Sequence, residues 1–201
     1  MAEITVLVGD LCWPWAKVRY ETESCLVEAW ARANVWVEQK HMNSEELARW
    51  VAQRVEFGDE QSIGSHFVEC LSELNGTFAL VVRMGKTVMV AVDRLRSIPV
   101  FYGVRGGELI LSDDARKVRS FVGDSLVDDV AATEFLVVGY VTGSDTLFVN
   151  VKQMQAGEFL IARAAINGIR LERGRHYRYS GYAKRRVRDS HGTRWCGRCY
   201  C

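Results

Sequence analysis

Six cysteines are the side chains best suited to nucleophilic or metal chemistry in this 201-residue sequence, and they fall into two groups. Cys12, Cys25 and Cys70 are scattered, whereas Cys196, Cys199 and Cys201 crowd the last six positions. Cys196-x-x-Cys199 has the separation of a zinc knuckle, and Cys201 or His191 could add ligands, so zinc is chemically allowed. No second spaced pair accompanies it, and no metal or cofactor site is assigned. The same spacing suits a redox pair, but a preceding strand and a following helix are missing. Cys70 recurs with Ile63, Phe67, Leu71 and Leu74 at three- and four-residue steps, which predicts a small core residue rather than a reactive thiol. So few spaced cysteines in a domain this large are a poor disulfide framework, and reduced thiols are expected. A second candidate is the adjacent acid and base Asp93-Arg94. In a joint between two strands such a pair binds ligand or, as expected here, forms ion pairs that fix the joint, with Pro99 restraining the same turn.

Charge is distributed unevenly around a net value of +1. Residues 175–201 hold eight Lys or Arg against the single acid Asp189, while the remainder holds 18 basic and 24 acidic side chains. A mildly acidic body argues against nucleic-acid binding, which needs clustered positive charge. No apolar run reaches the roughly 20 residues of a membrane span, and no membrane partner is expected. "MAEITVLVGD" lacks the basic start of a secretory signal, so the expected location is cytoplasmic.

The elements that must position these groups alternate between strand and helix patterns. Ile4–Val8 reads as a strand, and Ser24–Trp36 fits helix or strand, with Val35 and Val37 favouring a strand at "NVWVEQ". Asn43 with Glu46 forms a capping box for a helix whose apolar face is Leu47, Trp50, Val51 and Val55, stopped near Gly58. A second helix runs from Ile63 to an end at Asn75-Gly76. Two hairpins follow, Phe78–Arg83 turning at "MGK" into Thr87–Val92, and Val100–Val104 turning at "RGG" into Leu109–Leu111. "SDDARKVRSF" reads as a helix capped by Ser112 or Asp113. A further helix covers about Val127–Leu136 before Gly139, and a strand pair, Glu158–Ala162 with Ile169–Arg173, closes the domain. Antiparallel sheets with helices packed on them make an α+β layered domain.

Residues 74–118 resemble the glutaminase half of asparagine synthetases. Leu74, Gly76, Phe78 and Ala79 stand where that family has "L-x-G-x-F-A", and "VDRLRSIPVFYG" matches its "R-D-R-x-G-x-x-P-L-Y-Y" at Asp93, Arg94, Pro99 and Tyr102, with Arg96 in place of the glycine. "LILSDDARKV" is a looser match to "F-A-S-E". Gly139, Thr146, Leu147, Phe148, Val151 and Gly157 continue the pattern in order, with Phe135 and Ala156 replacing two family residues. "HYRYSGY" sits where the glutaminase half hands over to the synthetase half. The resemblance covers about residues 60–180. It implies a class II glutamine amidotransferase domain with an N-terminal-nucleophile hydrolase-like layered fold over residues 1–180, followed by a basic, cysteine-rich tail at 181–201.

The resemblance also implies chemistry that the residues do not supply. The family's nucleophile is a cysteine following the initiator methionine, its own amine acting as base; here Ala2 follows Met1, and Cys12 is internal. The "N-G-E" oxyanion loop has no counterpart, since Asn34 precedes Val35 and Asn75-Gly76 belongs to the later structural motif. Arg19, Arg32 and Asp59 lack the spacing of the family's substrate-binding charges. No catalytic residue is therefore assigned, and glutamine hydrolysis, which in the family feeds asparagine synthesis, is not expected. The pyrophosphate loop "S-G-G-x-D-S" occurs nowhere; "VTGSDT" has the wrong order. Two expectations follow: an asparagine synthetase-like protein reduced to an inactive amidotransferase domain, or a non-catalytic accessory domain docking to a separate ATP-dependent synthetase-like or cyclase chain. The expected partner is a synthetase-like domain or a second copy. The tail is expected to be unstructured, or to mark a truncation or frame change at the domain border.

Overall fold

A strand whose two faces are both apolar cannot lie on a surface, because each face needs its own covering layer. The central strands of this chain are of that kind, and the fold supplies four layers. The computed structural model describes residues 4–6, 16–55, 62–166 and 168–179. One sheet has seven strands: β2 (Ala16–Glu21), β3 (Leu26–Val37), β4 (Lys40–Met42), β5 (Leu74–Met84), β6 (Thr87–Val92), β10 (Glu158–Ala165) and β11 (Gly168–Arg175). Their order is β11-β10-β6-β5-β3-β2, with β4 paired to β3, and every pairing is antiparallel. The second sheet contains β1 (Ile4–Val6), β7 (Phe101–Arg105), β8 (Glu108–Ser112) and β9 (Lys152–Gln153) in the order β1-β8-β7-β9, where β1 runs parallel to β8.

Helices α1 (Ser44–Val55) and α2 (Ile63–Glu73) cover the outer face of the larger sheet. There Leu47, Val51, Phe67 and Leu71 meet Phe78, Leu80 and Val82 of β5 and Ile161 of β10. The alternate residues Ala79, Val81, Val90, Val92 and Leu160 turn the other way and pack between the sheets against Tyr102, Leu109 and Leu111. A third, smaller cluster, Ile110, Val118 and Val151, joins the second sheet to α3 (Ala115–Val122). Fully burying a Leu, Val or Phe side chain contributes about 1.5–3 kcal/mol, so these three cores hold the layers in place.

Several elements follow the sequence expectation and others differ. Asn43 and Glu46 form the reciprocal box: the Glu46 N–H donates to Asn43 Oδ1 at 2.9 Å and the Asn43 N–H to Glu46 Oε2 at 3.0 Å. The ambiguous stretch from Ser24 resolves as the long strand β3. Asn75-Gly76 does not end α2; β5 begins at Leu74 and runs through both residues. Gly76 sits at φ 109, opposite the register shift between Ala31 and Val35 of β3, a backbone that a side chain would strain. The cap of α3 is Asp114, which accepts from the Arg116 N–H, and α4 spans Asp129–Val138 with Asp128 as its cap. In both helices the capping acid is the last one before the helix, since only there do the free N–H groups come within reach. Gly58 lies outside the described residues.

The joint between β6 and β7 carries the chain from one sheet to the other, and Asp93 holds it. Its Oδ1 accepts from the Leu95 N–H at 2.7 Å and from Ser97 Oγ at 3.2 Å, and its Oδ2 from the Ser97 N–H at 3.0 Å and the Phe78 N–H at 3.3 Å. Asp93 and Arg94 do not form the expected ion pair. Arg94 instead donates to the Leu74 carbonyl at 3.1 Å and stacks over the Tyr177 ring at 4.5 Å. The carboxylate satisfies backbone donors that the turn would otherwise bury unpaired, which an ion pair with a neighbour could not do.

Arg96 takes φ 54, a left-handed backbone that glycine adopts freely. Its guanidinium Nη1 donates to the Gln153 side chain and to the Met154 carbonyl at 3.3 Å, tying the joint to β9. Two substitutions separate strain from tether. Arg96→Ala keeps the strain and loses the tether, whereas Arg96→Gly loses both; urea denaturation should show the alanine variant less stable than the glycine variant by about 1 kcal/mol.

His176, just past β11, is half-buried beside Phe78 and its Nε2 bonds the Val92 carbonyl at 2.9 Å. Burial pushes its pKa below the ordinary histidine value, and nearby Arg94 adds to the effect. The unfolded chain then binds the proton more readily than the folded one, so this contribution is complete above about pH 6.5 and declines as the pH falls toward the folded pKa. Measured unfolding free energy should decrease with acidification in that window, and His176→Gln should flatten the slope.

Candidate functional site

On the outer side of the second sheet a cavity of about 670 Å³ opens beside the β6–β7 joint. Leu95 and Arg96 of the joint form one wall, Phe101 of β7 and Ala115 of α3 another, and Phe135 and Tyr140 of the α4 end a third. Phe148, Gln153, Gln155 and Ala156 complete it. The segment around α4 is suspended by two acids. Asp124 accepts from the Leu126 N–H at 3.1 Å and the Asn150 N–H at 2.7 Å; Asp128 accepts from Val130 and Ala131 at 3.0 Å while its own N–H bonds the Leu147 carbonyl at 3.0 Å. The Gly139 N–H closes the helix on the Phe135 carbonyl at 2.8 Å.

Most polar side chains of this cavity are engaged within the protein. Arg96 holds Gln153, whose amide nitrogen donates to the Gly143 and Asp145 carbonyls at 3.1 and 3.0 Å. Gln155 is bonded by Arg175, Thr146 Oγ1 donates to the Val151 carbonyl at 2.8 Å, and Asp145 pairs with Lys152 at 2.8 Å. None of the lining residues is a histidine, cysteine or serine. Aromatic walls of this kind can hold an apolar group.

The residues singled out in the sequence are not brought together. Cys25 and Cys70 are buried. Burial raises the Cys70 thiol to about 12, with Arg54 opposing and Glu73 and Glu69 reinforcing the rise, so a thiolate is not available near neutrality. Arg19 is exposed on β2 and pairs with Glu21 at 3.0 Å. The side chain of Asn75 accepts from the neighbouring Gly76 N–H at 3.0 Å. Upstream of α1, β3 turns tightly at Glu38-Gln39 into β4. Ala2, Cys12, Asp59, His191, Cys196, Cys199 and Cys201, and the side chains of Arg32 and Asn34, lie outside the described residues. Among the described residues no cluster of three His, Cys, Asp or Glu side chains could hold a metal ion, and no helix is long and apolar enough to cross a membrane.

Sequence reasoning missed the cavity and the exposure of α4. Only Ala131 of this helix is buried, while Val130, Leu136 and Val137 are 78%, 84% and 77% exposed. The signal was legible: "DVAATEFLVV" is apolar nearly all round, and such a helix is normally buried on every side.

Comparison with known proteins bears on the whole arrangement. A glutamine amidotransferase domain family matches residues 61–173. Among solved structures, a Bacillus subtilis glutamine phosphoribosylpyrophosphate amidotransferase complexed with ADP and GMP is 14% identical, covering 81% of this chain and 31% of its own, with a TM-score of 0.44. An allosteric regulatory enzyme of purine biosynthesis is also 14% identical over 80% of this chain and 30% of its own, with a TM-score of 0.43. The chain thus spans under a third of the length of these two structures. Among curated proteins none matches it. The family match extends from α2 through the β6–β7 joint to β11, taking in the strands of both sheets that meet at Asp93, and on that ground the chain belongs to the glutamine amidotransferase domain family.

Proposed function

We propose that this chain is an asparagine synthetase-like amidotransferase domain that does not hydrolyse glutamine. The observation that carries the reading is the placement of its described thiols. Both Cys25 and Cys70 are core residues, and the Cys70 thiol is held protonated by burial. The motif residues shared with the glutaminase half, Gly76, Asp93, Arg94 and Pro99, serve the bulge and the joint rather than a reaction. In this reading the domain contributes scaffold and surface to ATP-dependent amide formation by a synthetase or cyclase chain, and no ammonia of its own.

Glutamate release from glutamine is the direct test. The purified chain should release none above buffer across pH 6–9 (roughly the range in which a cysteine nucleophile titrates), and sustained release would overturn the proposal. Thiol mapping is independent of substrate. Under native conditions near pH 8, iodoacetamide should leave Cys25 and Cys70 unmodified, with both labelled once the chain is unfolded in urea. Rapid native labelling of Cys70 would contradict its inert role.

A further inference from the structure

Among the described residues, Arg96 is a charge without a counter-ion. Its guanidinium is half-buried in the wall of the cavity, and burial alone pushes its pKa below the usual arginine value, with no carboxylate opposing the fall. Taking a cation out of water costs free energy that an anion or well-placed acceptors must offset. Two neutral acceptors do so in part: Nη1 donates to the Gln153 side chain and to the Met154 carbonyl. Nε and Nη2 make no hydrogen bond to a described residue. Neither nitrogen is among the buried polar atoms that lack a partner, so both reach open space. Together they form the side edge of the guanidinium, whose parallel N–H groups match the two oxygens of a carboxylate.

The cavity that Arg96 lines is aromatic. Phe101, Phe135, Tyr140 and Phe148 stand around it, and flat rings of this kind pack favourably on another flat ring. At about 670 Å³ it has the capacity of a small-molecule site. One acid, Asp145, also lines it, but its carboxylate lies 2.8 Å from Lys152 Nζ and is balanced there. Arg119 stacks over the Phe148 ring at 4.1 Å and sets a second positive charge against that wall. One unopposed guanidinium suits one negative charge, and the carboxylate of Asp145 disfavours a phosphate dianion in the same space.

We propose that this cavity binds a small monocarboxylate carried on a planar aromatic body, its carboxylate paired with the side edge of Arg96 and its ring held among Phe101, Phe135 and Tyr140. A ligand seated there spans from the β6–β7 joint to the end of α4. The site is separate from glutamine chemistry and takes its specificity from a charge and a shape.

Amide NMR titration of the full reduced chain near neutral pH tests this with three probes of similar outline: naphthoate, the neutral naphthamide and naphthyl phosphate. Naphthoate should bind with a Kd of about 0.1–1 mM, the range open to a ligand of that size, and shift the amides of Leu95, Gly139, Gly143 and Phe148. Naphthamide should bind about tenfold more weakly, because the charged acceptor is gone, and naphthyl phosphate no more tightly than naphthoate. Arg96→Met should lower naphthoate affinity to that of the amide. Phe135→Ala, which leaves the joint untouched, should weaken naphthoate and naphthamide alike by about threefold. Equal affinity of the wild type for naphthoate and naphthamide would overturn the proposal, as would no binding, shifts confined to residues away from the cavity, or unchanged naphthoate affinity in Phe135→Ala. Tighter binding of naphthyl phosphate would overturn the carboxylate assignment. The probe comparison and Phe135→Ala decide the matter whether or not Arg96→Met keeps its fold. None of these readouts involves glutamine, so the hydrolysis result stands or falls separately.

Discussion

The fold depends on one buried carboxylate. Asp93 is 1% exposed and receives three backbone N–H groups and one hydroxyl at the point where the chain leaves the seven-stranded sheet for the four-stranded one. A hydrogen bond to a charged group contributes about 1.5–3 kcal/mol, and a buried N–H left without a partner costs about as much. The turn could not fold inward without an acceptor of this kind. Because the Phe78 N–H belongs to β5, the same carboxylate also fixes the joint against the central strand, and with it the relative placement of the two sheets.

From that joint the other features follow outward. Arg94 reaches back to the end of α2 and forward to Tyr177, so the helix, the joint and the C-terminal segment form one packed unit. Arg96 holds β9 at the cost of a left-handed backbone, a substitution that exchanges glycine's freedom for a tether. Gly103 in β7 lies so close to α3 that a Cβ there would meet Val122 at 2.6 Å, which explains how the outer helix seats flat on the smaller sheet. Asp93 and Arg94 thus make their hydrogen bonds within the protein. Among the described residues, the outward-facing features include an apolar helix and an aromatic-walled cavity.

Much of this was legible before the structure. The capping box at Asn43, the two hairpins, the core role of Cys70 and the α+β layering all follow from local patterns, because caps, turns and periodicities are set by residues a few positions apart. The amidotransferase relationship was legible for a similar reason: its motif residues are the ones whose backbone geometry or burial admits few alternatives. Arg19, Arg32 and Asp59 were not resolved into a site because spacing along the chain says little about distances across a sheet.

By itself the sequence determined most of the helices and hairpins and which of their faces are apolar. Only tertiary structure decided that Asp93 bonds backbone donors instead of Arg94, since its partners Phe78 and Ser97 converge through folding. It also decided that β3 is one long strand, because its pairing with β5 selects the extended form of a segment whose pattern fits either helix or strand. The exposure of α4 was decided there as well. Periodicity reports which residues are apolar; whether anything covers them depends on the layers that the rest of the chain can supply.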